Sequence, residues 1–289
     1  MKGRSIISFL LVYFVWAPYS ILKSQVTIQD SVYNLFIDFV RSGNAEQKAT
    51  NARKLSEGLK VVLNKDNSIQ FAFDSLKKYK VMLESSDKQV RIFTWDAEAE
   101  DGTHTFYGFV QAFNKKTKKF ESFELKDKSE GMKDPENAIL DNTKWFGAYY
   151  YDIVYVKYKK KKYYVLLGWD GNNRMTTKRL IDVLYFDSKG FPKFGDGIFV
   201  SESGKIKKRV IFEFKAGVFM SLRYDQDKEV LIFDHLSPSN ENLVGMYEYY
   251  GPDFSYDMMQ FIDGKWQYKK DVIPRNDKDK MDKHFNTPK

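Results

Sequence analysis

From Asp30 the apolar positions Val32, Leu35, Phe36, Phe39 and Val40 recur at intervals of three and four, a spacing that only a helix gathers onto one face. Asp30 or Ser31 can cap its start and Gly43 its end. A second helix is expected from the Asn44 cap, with Ala52, Leu55, Leu59, Val62 and Leu63 as its stripe. Two short helices are rarely stable alone, so this hairpin is expected to pack on the rest of the chain. From Ser68 the period changes to two, and turn residues arrive every ten to fifteen positions, the pattern of antiparallel strands.

The expected strands fall in pairs. Lys80 to Leu83 and Val90 to Trp95 flank a turn at Ser85–Lys88. Thr103 to Phe113 and Phe120 to Leu125 flank Asn114–Thr117, and the acidic run Asp96–Gly102 between these pairs reads as an exposed loop. Tyr149 to Tyr158 and Tyr163 to Leu167 flank the four lysines Lys159–Lys162, a solvated hairpin tip. Leu180 to Phe186 and Phe191 to Val200 follow, then Lys208 to Phe214, Val218 to Tyr224, Glu229 to Leu236, Leu243 to Tyr250 and Ser255 to Ile262. The Asp263-Gly264 turn leads to Lys265–Tyr268.

These elements define a mainly β chain, a large antiparallel meander of sandwich or barrel type carrying a short N-terminal helical hairpin. Segments 80–125, 149–200 and 207–268 each hold three or four strands, so a propeller with few blades is the alternative; the three segments share no signature at a fixed offset. The polar stretch Lys126–Thr143 is the longest interruption, but strands of the same character resume beyond it. The expected organisation is a leader over 1–24, the helical hairpin over 25–67, one all-β domain over 68–273, and a polar tail over 274–289.

The leader rests on grammar: basic Lys2 and Arg4, an apolar run from Ile6 to Ala17 broken only by Ser8, then Pro18 and the small Ser24. That run is shorter than the ~20 residues of a membrane span, so cleavage and release into the periplasm or the outside are expected, with no span afterwards. The formal charge of +8 then drops to +5, because the leader holds 3 of the 47 basic residues and none of the 39 acidic ones. This excess is mild, and no nucleic-acid partner is expected. There are 0 cysteines, which excludes disulfides, thiolate nucleophiles and cysteine-based metal sites. With 43% hydrophobic and 17% aromatic residues the chain can stabilise itself by burial.

Three stretches carry candidate chemistry. The turn Trp169–Arg174 offers Trp169 for sugar stacking and Asp170, Asn172 and Asn173 for hydrogen bonds or a cation, although it lacks the alternating carboxylates and distal Glu of a calcium loop. Any sharp reversal between strands uses the same residues. Asp234-His235-Leu236-Ser237-Pro238 sets an acid, an imidazole and a hydroxyl side by side, yet neighbouring strand residues point to opposite faces. Tyr249–Asp257 combines aromatics with Asp253 and Asp257, four residues apart. The ligand-binding candidates are therefore Trp169, Asp170, Asn172, Asn173, His235, Asp253 and Asp257. No catalytic set, metal site or cofactor is expected: the histidines are only His104, His235 and His284, and no nucleophile motif is present.

The pieces Leu167–Asn173, Val210–Phe214, Phe233–Pro238 and Tyr250–Asp257, with Phe71–Leu76 and Arg91–Asp96 earlier, resemble a family of exported Bacteroidetes-type proteins of unknown function. The resemblance covers most of the mature chain, implies an envelope or secreted location, and carries no activity or site residue. The expected function is non-enzymatic binding of a glycan or protein partner at the cell envelope. The alternatives are a carboxylate-dependent polysaccharide hydrolase, which requires two carboxylates converging in one pocket with raised pKa values, and a structural subunit of an envelope assembly.

Overall fold

The computed structural model describes residues 30–270 and residue 272; the expected leader and the tail over 274–289 lie outside the described residues. Helix α1 covers residues 30–40, and α2 (Ala45–Leu63) starts at Asn44, whose side chain accepts from the Gln47 amide at 2.9 Å. All five stripe residues expected for α2 are buried. Val40, expected on the α1 stripe, is instead exposed at the helix end. A further short helix, α3 (Asp74–Lys78), follows a left-handed Phe73 and is too short to show as a period.

Three sheets follow. The first orders β1 (Met82–Glu84), β2 (Val90–Glu98), β3 (His104–Asn114) and β4 (Lys119–Lys126) side by side. The middle sheet runs β5 (Leu140–Asp141), β9 (Pro192–Phe194), β8 (Thr176–Phe186), β7 (Lys161–Asp170), β6 (Tyr149–Tyr158), with β12 (Val210–Lys215) sharing the outer edge of β8 with β9. The third runs β11 (Ile206–Lys207), β10 (Phe199–Val200), β16 (Lys265–Lys269), β15 (Tyr250–Ile262), β14 (Val230–Pro238), β13 (Leu222–Asp225). Among the strands of the described residues every pairing is antiparallel except β10 with β16; outside those strands a single parallel bridge joins Asp127 to Trp145.

Side-chain alternation explains how the sheets stack. On β2, Phe93, Trp95 and Ala97 face the helices while Val90 and Ile92 face the middle sheet. On β7, Tyr164 and Leu166 face the first sheet while Tyr163, Val165 and Leu167 face the third. The middle sheet is thus covered on both faces, which is why β7 reads as an unbroken apolar run rather than an alternating one. Each large apolar side chain so enclosed, such as Phe194 or Phe199, contributes about 1.5–3 kcal/mol. The order is helices, first sheet, middle sheet, third sheet. No core cluster joins the third sheet back to the first among the described residues, so the stack is open and sandwich-like, neither a closed barrel nor a ring of blades.

Several expected strands differ. Phe191–Val200 is not one strand: Gly195, at φ +88, breaks it into β9 and β10, which belong to different sheets. Leu243–Tyr250, expected as a strand, forms two 3-10 turns, Glu241–Leu243 and Tyr247–Tyr249, and Val218–Ser221 precedes β13 rather than joining it. The acidic run is not all loop, because β2 continues through Glu98. Among the described residues no helix is long and apolar enough to cross a membrane.

Candidate functional site

The structure divides the seven candidate residues into two groups. Trp169, Asp170, Asn172 and Asn173 close the β7–β8 reversal. The Asp170 carboxylate accepts the Asn172 amide at 2.7 Å, Asn172 sits at φ +55, and the Asn173 side chain accepts from the amides of Met175 (2.8 Å) and Thr176 (3.0 Å). The Asn172 side chain accepts from Lys178 Nζ at 2.7 Å and donates to Thr176 Oγ1 at 2.6 Å. Burial raises the Asp170 carboxyl above its ordinary value, with Lys178 opposing the shift. The Trp169 ring stands edge-on to His104 at 5.2 Å, and His104 Nδ1 lies 2.8 Å from Asp96 Oδ2. The carbonyl oxygens a cation would need are thus occupied by turn amides and a lysine. This group is a joint between the first and middle sheets.

His235, Asp253 and Asp257 come together on the third sheet. Register shifts between Asp234 and Leu236, and that irregularity re-aims His235 toward β15. Its Nδ1 lies 2.7 Å from Oδ2 of buried Asp257, the Tyr268 hydroxyl donates to the same oxygen, and Asp253 Oδ2 is 4.0 Å from Nε2. Asp234 goes elsewhere and accepts the Ser221 amide at 2.8 Å, as opposite faces require. Partial burial works against the Asp253 carboxylate, but the Ser255 hydroxyl and amide hold it below its ordinary value. A hydrolase pair needs a raised acid across a cleft; here the two carboxylates share one imidazole, and neither residue lines the cleft between the tips of the first and middle sheets.

The cleft at the sheet tips, about 510 Å³, opens where the first and middle sheets meet, and it has the form of a ligand site. The β3–β4 turn brings Lys115 and Lys116, the β6–β7 turn brings Lys160 and the start of β7 Lys161 and Lys162; Phe113, Tyr164 and Phe186 form the apolar walls, and Tyr163 and Tyr185, which pack toward the third sheet, also border it. Gly190, at φ +92, lets the β8–β9 turn close against β3, since a Cβ there would stand 2.7 Å from Asn114 Nδ2.

Two carboxylates set the wall. Asp87 Oδ2 accepts from Lys162 Nζ at 2.7 Å and the Tyr164 hydroxyl at 3.2 Å; Asp196 Oδ2 accepts from the Tyr163 hydroxyl at 3.0 Å and lies 3.6 Å from Lys161 Nζ. Burial, then the adjoining carboxylates, push both phenols well above their ordinary value. Asp187, the acid lining the cleft, has its carboxylate tied to the amides of Lys189 (2.8 Å) and Phe191 (3.0 Å). The ammonium groups of Lys115, Lys116 and Lys160 have no carboxylate partner among the described residues. The arrangement can hold an anion beside an apolar ring face.

Comparison of the chain with protein-family models, with curated proteins and with solved structures finds no match in any of the three.

Proposed function

We propose that this protein is a non-enzymatic binding module, exported to the envelope or beyond, that takes an anionic glycan in the cleft between the first two sheets. One observation carries the reading: Lys115, Lys116 and Lys160, whose ammonium groups have no carboxylate partner among the described residues, border aromatic walls in a single concavity. Carboxylate- or sulfate-bearing sugars match both features, since their anionic groups pair with ammonium and their C–H faces lie against rings. The signal-peptide grammar of the N-terminus supports the location.

The test is calorimetric titration with short oligogalacturonates and with neutral oligosaccharides of equal length, on the protein and on K116E/K160E. Binding of the acidic sugars alone, weakened roughly tenfold or more in the double variant, is expected from the loss of two attractive charges and the gain of two repulsive ones. Equal binding in the variant, or none in the unaltered protein, overturns the reading.

A further inference from the structure

A second hollow, about 640 Å³ and open to solvent, lies in the loop between β4 and β5. Lys128, Lys133 and Lys144 border it, Met132 and Ala138 form its apolar part, and Glu130 is its single acid. None of these three ammonium groups has a carboxylate partner among the described residues. The two basic concavities stand at opposite ends of β4. Asn114 pairs with Lys119 at the first cleft, and the Lys126 amide donates to the Asn142 carbonyl at 2.8 Å beside the second. Seven residue steps along a strand separate them by about 23 Å.

Two of the three acids along the line between them are neutralised by lysines. Glu124 is paired with Lys60 (2.8 Å) and Asp141 with Lys193 (3.2 Å), while Glu121 keeps its charge and accepts from the Asn114 side chain (2.9 Å) and the Thr117 hydroxyl (2.8 Å). Midway, Phe191 is 49% exposed and packs edge-on to Phe123 of β4, ring centres 5.7 Å apart, an apolar contact surface between the two lysine groups.

Resting on the reading of the first cleft, we infer that its ligand is a linear acidic polysaccharide that continues along β4, over Phe191, into the Lys128–Lys144 hollow. A small anion has no use for the second hollow. A single-stranded nucleic acid would call for a row of open rings on which successive bases stack, and the span between the concavities offers one. A chain that engages both concavities gains affinity without any change in either, because its second contact is intramolecular.

The experiment compares a short oligogalacturonate, long enough for the first cleft only, with one longer than the ~23 Å span. Titrations use the protein and K128E/K144E, whose side chains are exposed, with thermal melts to confirm that both fold alike. The long oligomer is expected to bind roughly tenfold or more tightly than the short one, and K128E/K144E is expected to abolish that advantage while leaving short-oligomer binding unchanged. Equal affinity for both lengths, or a length advantage that survives in K128E/K144E, overturns the inference and leaves the first cleft standing. Failure of both oligomers to bind removes the first cleft's reading instead, and this inference with it. Tighter binding of a single-stranded oligonucleotide of matched charge overturns the choice of polysaccharide.

Discussion

The guanidinium of Arg209 lies against the carboxylate of Asp182, Nε to Oδ2 at 2.8 Å, and neither side chain has any exposed surface. The Tyr150 hydroxyl donates to the same Asp182 oxygen at 3.0 Å and accepts from the Trp145 indole at 3.1 Å, while Arg209 Nη1 donates to the Pro135 carbonyl at 2.6 Å. The pair pins the loop before β5 and the start of β12 onto β8. Arg209→Met is expected to cost about 3–5 kcal/mol in urea unfolding, because Asp182 is left as an unpaired buried charge. Adding Asp182→Leu should recover most of that loss. A single variant within about 1 kcal/mol of the unaltered protein would show that water reaches the site.

Gly171 is held against His104: a Cβ there would stand 2.1 Å from Nε2 and 2.5 Å from two ring carbons. Gly171→Ala must therefore turn the imidazole away from Trp169 and Asp96. The expected cost is about 1–3 kcal/mol, with a change in tryptophan fluorescence in the folded state. Unchanged fluorescence and stability would mean that the joint between the first two sheets yields freely.

His104 also makes stability depend on pH. Burial disfavours its imidazolium, but the hydrogen bond to Asp96 and the charges of Asp96, Glu98 and Asp170 outweigh that, so its pKa is raised above 6.5. A raised folded value means that the native state binds the proton more tightly than the unfolded chain. The contribution is therefore complete below 6.5 and is lost as pH rises through the folded value. The difference in stability between the protein and His104→Gln should shrink over that range; a difference independent of pH would refute the assignment.

How far these arrangements could be read from the chain varies with their range. The α2 stripe and the hairpins at Ser85–Lys88 and Asn114–Thr117 are local, and their periods and turn residues place them within a few positions. The 3-10 turns at 241–249 defeat the reading, because Leu243, Val244, Met246 and Tyr247 have strand-like composition and yet are largely exposed. Of the candidate residues, His235, Asp253 and Asp257 do meet, but through a bulge that spacing cannot show. Lys115 and Lys160 are 45 positions apart on two separate hairpin tips. That they border one cleft follows only from the stacking of two sheets, so each tip by itself reads as a solvated turn.

Behind the wall of that cleft, Asp87 restrains Lys162, one of the lysines that line it. Its Oδ2 takes Lys162 Nζ at 2.7 Å and the Tyr164 hydroxyl at 3.2 Å, while Oδ1 accepts from the Ser85 hydroxyl at 2.8 Å. Asp87→Asn keeps the shape of the side chain but removes its charge and turns one acceptor oxygen into a donor amide, releasing the Lys162 ammonium and one source of repulsion toward an anion. At the dielectric of a partly open site one such charge a few ångströms away amounts to about 1–2 kcal/mol. Acidic oligosaccharides should therefore bind Asp87→Asn roughly five- to thirtyfold more tightly, and more so at low salt. Stability should move the other way, by about 1 kcal/mol, as a half-buried ion pair is lost. Calorimetry and urea unfolding on the same preparation separate the two effects. A variant that folds yet binds acidic sugars no better would place the ligand away from Lys162 and shift attention to the Lys115 and Lys116 side of the cleft.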